Sequence, residues 1–201
     1  MRHILTLVLL LLGMNASAQH RMAELFLSMP DSLMPLLNEK LRKDVIDFYD
    51  NHMEAKVRNV FDEYVELQQL TDDYLRVQTS DRSRTELKLL HTADSTAIVA
   101  LVRTVRSAAS DSQVRFFTDQ WQSLQWIRFP VPSVADFCAD APAALEELPL
   151  IEVQPSADAP EFTLVLQTGE LDTKEKDATE PSVHPVIVRW EDDSFVTISK
   201  P

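Results

Sequence analysis

Ile4 to Leu12 is an almost unbroken aliphatic run. Arg2 and His3 precede it. Ala16-Ser17-Ala18 comes after it, with the small side chains that a signal peptidase requires. The run is shorter than the ~20 residues needed to cross a bilayer. The pattern predicts a secretory signal peptide, Met1 to Ala18, cut near Ala18-Gln19, and places the protein in the periplasm or outside the cell. The only cysteine, Cys138, lies far from that cut, so no lipid anchor is expected.

After the leader the hydrophobic period is helical. Met29-Pro30 breaks the chain, because the residue before proline avoids the helical region. Asp31 or Ser32 is placed to cap the next helix. Leu33, Leu37, Leu41, Val45, Phe48 and Met53 then recur every three to five residues, with Glu39, Lys40, Arg42, Lys43, Asp44 and Asp47 filling the other side. This predicts an amphipathic helix that tolerates Pro35 only in its first turn. Val57, Val60, Phe61 and Tyr64 continue the spacing as a second short helix. The region 22–66 is therefore expected to be helical.

From Tyr74 the period becomes two. Leu75, Val77 and Thr79 alternate with Arg76 and Gln78; Leu87 and Leu89 alternate with Glu86 and Lys88. Ala97 to Val105 is apolar at nearly every position, as a strand covered on both faces would be. Val114 to Thr118 is a further strand. The polar links at 80–84, 93–95 and 107–112 are too short for parallel crossovers, so about four strands over 74–121 form an antiparallel meander. Leu150 to Val153, Phe162 to Gln167, Val186 to Trp190 and Phe195 to Ile198 supply a second β part over 148–199. Glu191-Asp192-Asp193-Ser194 turns the last hairpin. Gly169 to Ser182 carries seven charges and no aromatic residue, the composition of a long solvent-facing loop.

The fold class is α+β: a single domain over residues 19–201, with N-terminal amphipathic helices packed on a largely antiparallel sheet of seven to nine strands. A faint echo, Val77-Gln78-Thr79-Ser80 against Val153-Gln154-Pro155-Ser156, leaves two related sheet halves as the alternative.

Charge narrows the partners. The 201 residues carry 19 Lys+Arg and 32 Asp+Glu, a net charge of -13. Losing Arg2 with the leader makes the mature chain more acidic still. Such a surface repels phosphate backbones, so no nucleic acid is expected. No segment after the leader has transmembrane length. With two glycines in the whole chain, phosphate-cradling loops and the G-x-S-x-G nucleophile turn are excluded. One cysteine excludes cysteine zinc sites. No metal and no cofactor are expected.

The remaining chemistry is sparse. His52 falls at a helix end, His91 in strand alternation and His184 before Pro185; none has a nucleophile placed beside it by sequence. The pairs Asp72-Asp73, Glu146-Glu147 and Asp192-Asp193 put neighbours on opposite faces of any strand, so they do not converge by themselves. Asp72, Asp73 and Tyr74 line either a strand-leading turn or a binding surface. Trp121 and Trp126, close to Phe116, Phe117 and Phe129, are suited either to stack on a sugar or fill a partner's pocket, or to seal the core.

The segments Met29-Pro30-Asp31-Ser32-Leu33-Met34-Pro35, Arg42-Lys43-Asp44-Val45-Ile46-Asp47-Phe48-Tyr49 and Leu70-Thr71-Asp72-Asp73-Tyr74-Leu75, with Val102-Arg103-Thr104-Val105 and Asp111-Ser112, resemble a family of secreted Bacteroidales proteins of unknown function (domain of unknown function 3256). The resemblance implies export from a Gram-negative anaerobe and one shared architecture. It implies no reaction, ligand or catalytic residue. The leading expectation is a non-enzymatic binding or accessory protein of the cell envelope, with an envelope protein or a glycan as partner. The alternatives are an envelope or glycan hydrolase using Asp/Glu or His, and an interaction module that works through an exposed sheet edge.

Overall fold

A computed structural model describes residues 21–139, 141, 143–168 and 182–198. The leader and most of the 169–182 loop lie outside the described residues. Helix α1 is Arg21–Ser28 and buries Met22, Ala23, Leu25 and Phe26, one stripe at helical spacing. A 3₁₀ turn comes next at Asp31–Leu33. Helix α2 is Glu39–Asp50. Asn38 Oδ1 accepts from the Leu41 amide at 3.0 Å, and Asp31 Oδ1 accepts from the Glu39 amide at 3.0 Å. These two oxygens satisfy amides that the first helical turn leaves open.

The expected helix therefore begins later and ends sooner. Pro35 lies ahead of it, Leu33 sits in the 3₁₀ turn, and Met53 is 59% exposed beyond its end. His52 closes the helix in a left-handed conformation, φ 56°, with Met53 N donating to Phe48 O at 2.8 Å. Arg42, expected on the polar side of the helix, is instead buried, and it fixes the approach to α2. Its guanidinium is buried and donates to Met29 O at 2.5 Å, Leu37 O at 2.7 Å and Asp31 Oδ1 at 2.9 Å.

The expectation of helix up to residue 66 is corrected. Strand β1 is Lys56–Arg58 and β2 is Tyr64–Leu70. Asn59 Oδ1 accepts from the amides of Phe61 and Glu63, and Asp62 takes φ 62°, so the chain reverses where a helix would have continued. Val65 and Leu67 are buried, on the two-residue period of a strand. Four more strands complete the run: β3 Tyr74–Ser80, β4 Ser83–His91, β5 Ala97–Arg106 and β6 Ser110–Thr118. Together β1 to β6 form one antiparallel sheet in chain order, so the meander has six strands and starts before residue 74.

A 3₁₀ turn at Val134–Asp136 and a short helix α3, Ala143–Glu147, lead to a second sheet. Its strands are β7 Leu150–Pro155, β8 Glu161–Gln167, β9 Val186–Glu191 and β10 Ser194–Thr197, in the order β10-β9-β8-β7. The described residues are thus mostly antiparallel sheet with a few helices, and their ten strands divide between two sheets. Asp192 and Asp193, φ 47° and 61°, make the tight β9–β10 turn. Both central residues of that turn type need positive φ, a conformation aspartate tolerates better than most residues.

The core has two parts. One cluster joins Met22, Phe26, Leu37 and Val45 to Leu75, Leu87, Val99, Leu101 and Phe117. The other joins Leu90, Ile98, Ala100, Val102 and Phe116 to Ile151, Phe162, Leu164 and Val188. Strand β5 feeds both, odd positions to one cluster and even positions to the other, which accounts for its unbroken apolar run. Leu101→Ala is expected to cost about 2–5 kcal/mol through lost burial and the cavity left behind. Urea unfolding checks this as a lower midpoint at unchanged slope.

Candidate functional site

The polar residues of β4 are not on a wet face. Arg84, Glu86 and Lys88 point to the side that the second sheet covers, and Glu86 and Lys88 are 0% exposed. Strand alternation puts them in one row, and the β3 register sets Tyr74 opposite Lys88 and Arg76 opposite Glu86. Glu86 accepts from Tyr74 OH at 2.6 Å, Arg76 Nε at 3.1 Å and Arg84 Nε at 2.7 Å. Arg84 Nη2 reaches Glu152 Oε1 on β7 at 2.9 Å. Lys88 Nζ donates to Asp73 Oδ2 at 2.7 Å and to Ala157 O at 3.2 Å. Three bases (Arg76, Arg84, Lys88) face three acids (Asp73, Glu86, Glu152), so the row is neutral as a whole.

Its electrostatics derive from those partners. Burial alone would raise the Glu152 carboxyl, but hydrogen bonds from Arg84, Gln154 and Ser110 outweigh it and hold the group below the usual carboxylate range. Burial, then the bond to Glu86, pushes the Tyr74 phenol well above its ordinary value. For Arg84, burial opposes the charge, but Glu86 and Glu152 more than compensate and raise it.

A groove opens where the outer strands of the two stacked sheets lie near each other. Strand β6 is outermost in the first sheet and β7 in the second. Ile151 N donates to Asp111 Oδ1 at 3.3 Å and Val153 N to Ser112 Oγ at 2.9 Å, so side chains of β6 occupy amides on the free edge of β7. Beside this seam lies a cavity of about 390 Å³, whose lining includes Asp111, Gln113, Phe129, Pro130, Val131 and Pro149. Val131 is 78% exposed and Leu148, next to Pro149, 70%. Beneath it, Phe129 packs edge-on against Phe162 and Phe195, with ring centroids 5.6 and 5.0 Å apart.

The residues singled out from sequence are dispersed. Asp73 and Tyr74 enter the buried row, and Asp72 stays exposed. Trp121 is 8% exposed; its Nε1 donates to Leu25 O at 3.1 Å and Ser28 Oγ at 3.3 Å, tying it to α1. Trp126 is 56% exposed. His91 and His184 are exposed, each 3.4 Å from one polar neighbour, Arg21 and Ser182 respectively. Cys138 is buried. Among the described residues, no group of three or more His, Cys, Asp or Glu gathers as a metal site, and no helix is long and apolar enough to cross a membrane. Sequence reasoning missed Arg84 and Glu152 altogether and read Arg76, Glu86 and Lys88 only as the polar positions of alternating strands. The signal for Arg84 was present in three charged residues at i, i+2 and i+4 on one strand face, but nothing local says that the face is covered.

The sequence matches the family described as protein of unknown function (DUF3256) over residues 14–195. The chain belongs to that family. No curated protein matches it. This DUF3256 chain also shares its fold with a solved domain of an uncharacterised protein from Porphyromonas gingivalis W83. The TM-score is 0.71 at 19% identity, covering 90% of this chain and 98% of that one. At that identity the likeness speaks for the fold alone.

Glu86→Gln leaves the part-buried guanidinium groups of Arg76 and Arg84 without their shared anion, and is expected to cost about 1–3 kcal/mol in urea unfolding. A pH series tests the same row. Glu152 is depressed in the native state, so its stabilisation is present above the ordinary carboxylate value and lost as pH falls through the native one. Tyr74 is raised, so its stabilisation holds below about pH 10 and is lost as pH rises further. Glu152→Gln should flatten the acid limb of stability against pH, and Tyr74→Phe the alkaline limb.

Proposed function

We propose that this protein is exported, loses its leader after Ala18, and acts in the cell envelope as a non-catalytic binding protein. In this reading the helical segment covers one face of the six-stranded sheet and the second sheet covers the other. The groove between β6 and β7 receives an apolar polypeptide segment of a partner. The carrying observation is the wall of Val131 and Pro149, with Leu148 beside it, standing in water around a cavity of about 390 Å³. Binding sites have this size and this mixture of apolar wall with a few polar groups, and exposed apolar clusters favour contact. Because Asp111 and Ser112 already occupy two edge amides of β7, side-chain contact is favoured over addition of a strand to that edge.

The hydrolase reading draws less support. Arg84 bridges Glu86 and Glu152 and keeps Glu152 ionised, whereas a general acid needs a carboxyl raised by its surroundings.

Two measurements test the proposal. The intact mass of protein recovered from the native envelope should begin at Gln19; retention of residues 1–18 would count against export. Capture from envelope extracts, read by mass spectrometry, should recover a partner with the native chain and lose it with Val131→Asp at unchanged circular dichroism. Equal recovery with both would remove the groove from the account.

A further inference from the structure

Three arginines meet at one end of the six-stranded sheet. The β3–β4 turn carries Arg82, β4 begins with Ser83 and Arg84, and β5 ends at Arg106 just before β6 starts at Ser110. They line a cavity of about 80 Å³ together with Gln78, Asp81 and Thr104. The backbone fixes the two exposed arginines beside each other, because Arg106 N donates to Arg82 O at 2.8 Å. Gln78 Nε2 pins the turn through Ser80 O at 2.6 Å and Ser83 O at 3.1 Å.

The hydrogen bonds of the cluster leave donors over. Arg84 uses Nε on Glu86 and Nη2 on Glu152. Arg106 uses Nε on Ser110 Oγ at 3.3 Å. Among the described residues, no carboxylate forms an ion pair with Arg82 or Arg106. Arg84 is already paired with Glu86 and Glu152, so the charge left over comes from Arg82 and Arg106, and Asp81 is the only acid among the residues lining the cavity. The free guanidinium donors of Arg82 and Arg106 beside a small concavity match the oxygens of a phosphate-type anion, which such forks hold by paired charge-assisted hydrogen bonds.

We infer that this cavity binds a phosphate group, either as free phosphate or as a phosphate ester borne by an envelope molecule. The volume admits the anion itself and leaves the remainder of an ester outside.

Isothermal titration of the purified protein with inorganic phosphate, against chloride at equal ionic strength, tests the inference. Saturable binding is expected, with a matching rise in the thermal midpoint. Arg82→Ala/Arg106→Ala alters two exposed side chains; it should keep the native midpoint in chloride and bind phosphate at least about tenfold more weakly. Asp81→Asn removes the opposing charge and should tighten binding by about two- to fivefold, the scale of one exposed charge pair. Glucose 1-phosphate and phosphatidylglycerol vesicles separate the sources: tighter binding of either marks an ester, and binding of inorganic phosphate alone marks the free anion. If phosphate acts no differently from chloride, or acts equally on the native chain and the double variant, the site does not exist.

Discussion

Glu86 is the constraint on which the association of the two sheets turns. Its carboxylate is wholly buried and accepts from one phenol and two guanidinium groups. A lone carboxylate in that position would be expelled to water or neutralised. Arg84 extends the arrangement to Glu152, so the same ion that satisfies the first sheet also holds the second. Lys88 repeats the device through Asp73 and a carbonyl of the β7–β8 link. Apolar contact supplies the attraction between the layers. The row of charges dictates their register, since a slip of one residue would leave every member unpaired.

How much of this was legible depends on the range over which each signal acts. The doubly covered strand Ala97–Arg106 and the Glu191–Ser194 turn were readable because composition within a few residues decides them. The β1–β2 hairpin was not. Val57, Val60, Phe61 and Tyr64 happen to keep helical spacing, while the reversal depends on one side chain, Asn59. The burial of Glu86 and Lys88 was beyond local reading for another reason. Alternation shows that a strand has two unlike faces, but a segment some 70 residues later determines which of them water reaches. Asp73 and Tyr74 were noticed for their composition; their role became visible only with their partners on β4.

The position of the groove derives from the same architecture. Two sheets stacked with one edge of each nearby leave a seam, and here side chains of β6 close part of it by bonding to β7 amides. The remaining part keeps its apolar wall. A family match covering residues 14–195 together with a solved structure of the same fold places the fold within a wider group.

The order of strands along the chain has a kinetic corollary. Neighbours in the six-stranded sheet are neighbours in sequence, so it can assemble through short loop closures, before the later strands take part. During that interval a stripe of ionised side chains crosses the face that will later be sealed. Nascent chains meeting one another at this stage encounter hydrated charge amid the grease, which discourages clumping. A buried electrostatic lock would then double as a guard for the half-built molecule.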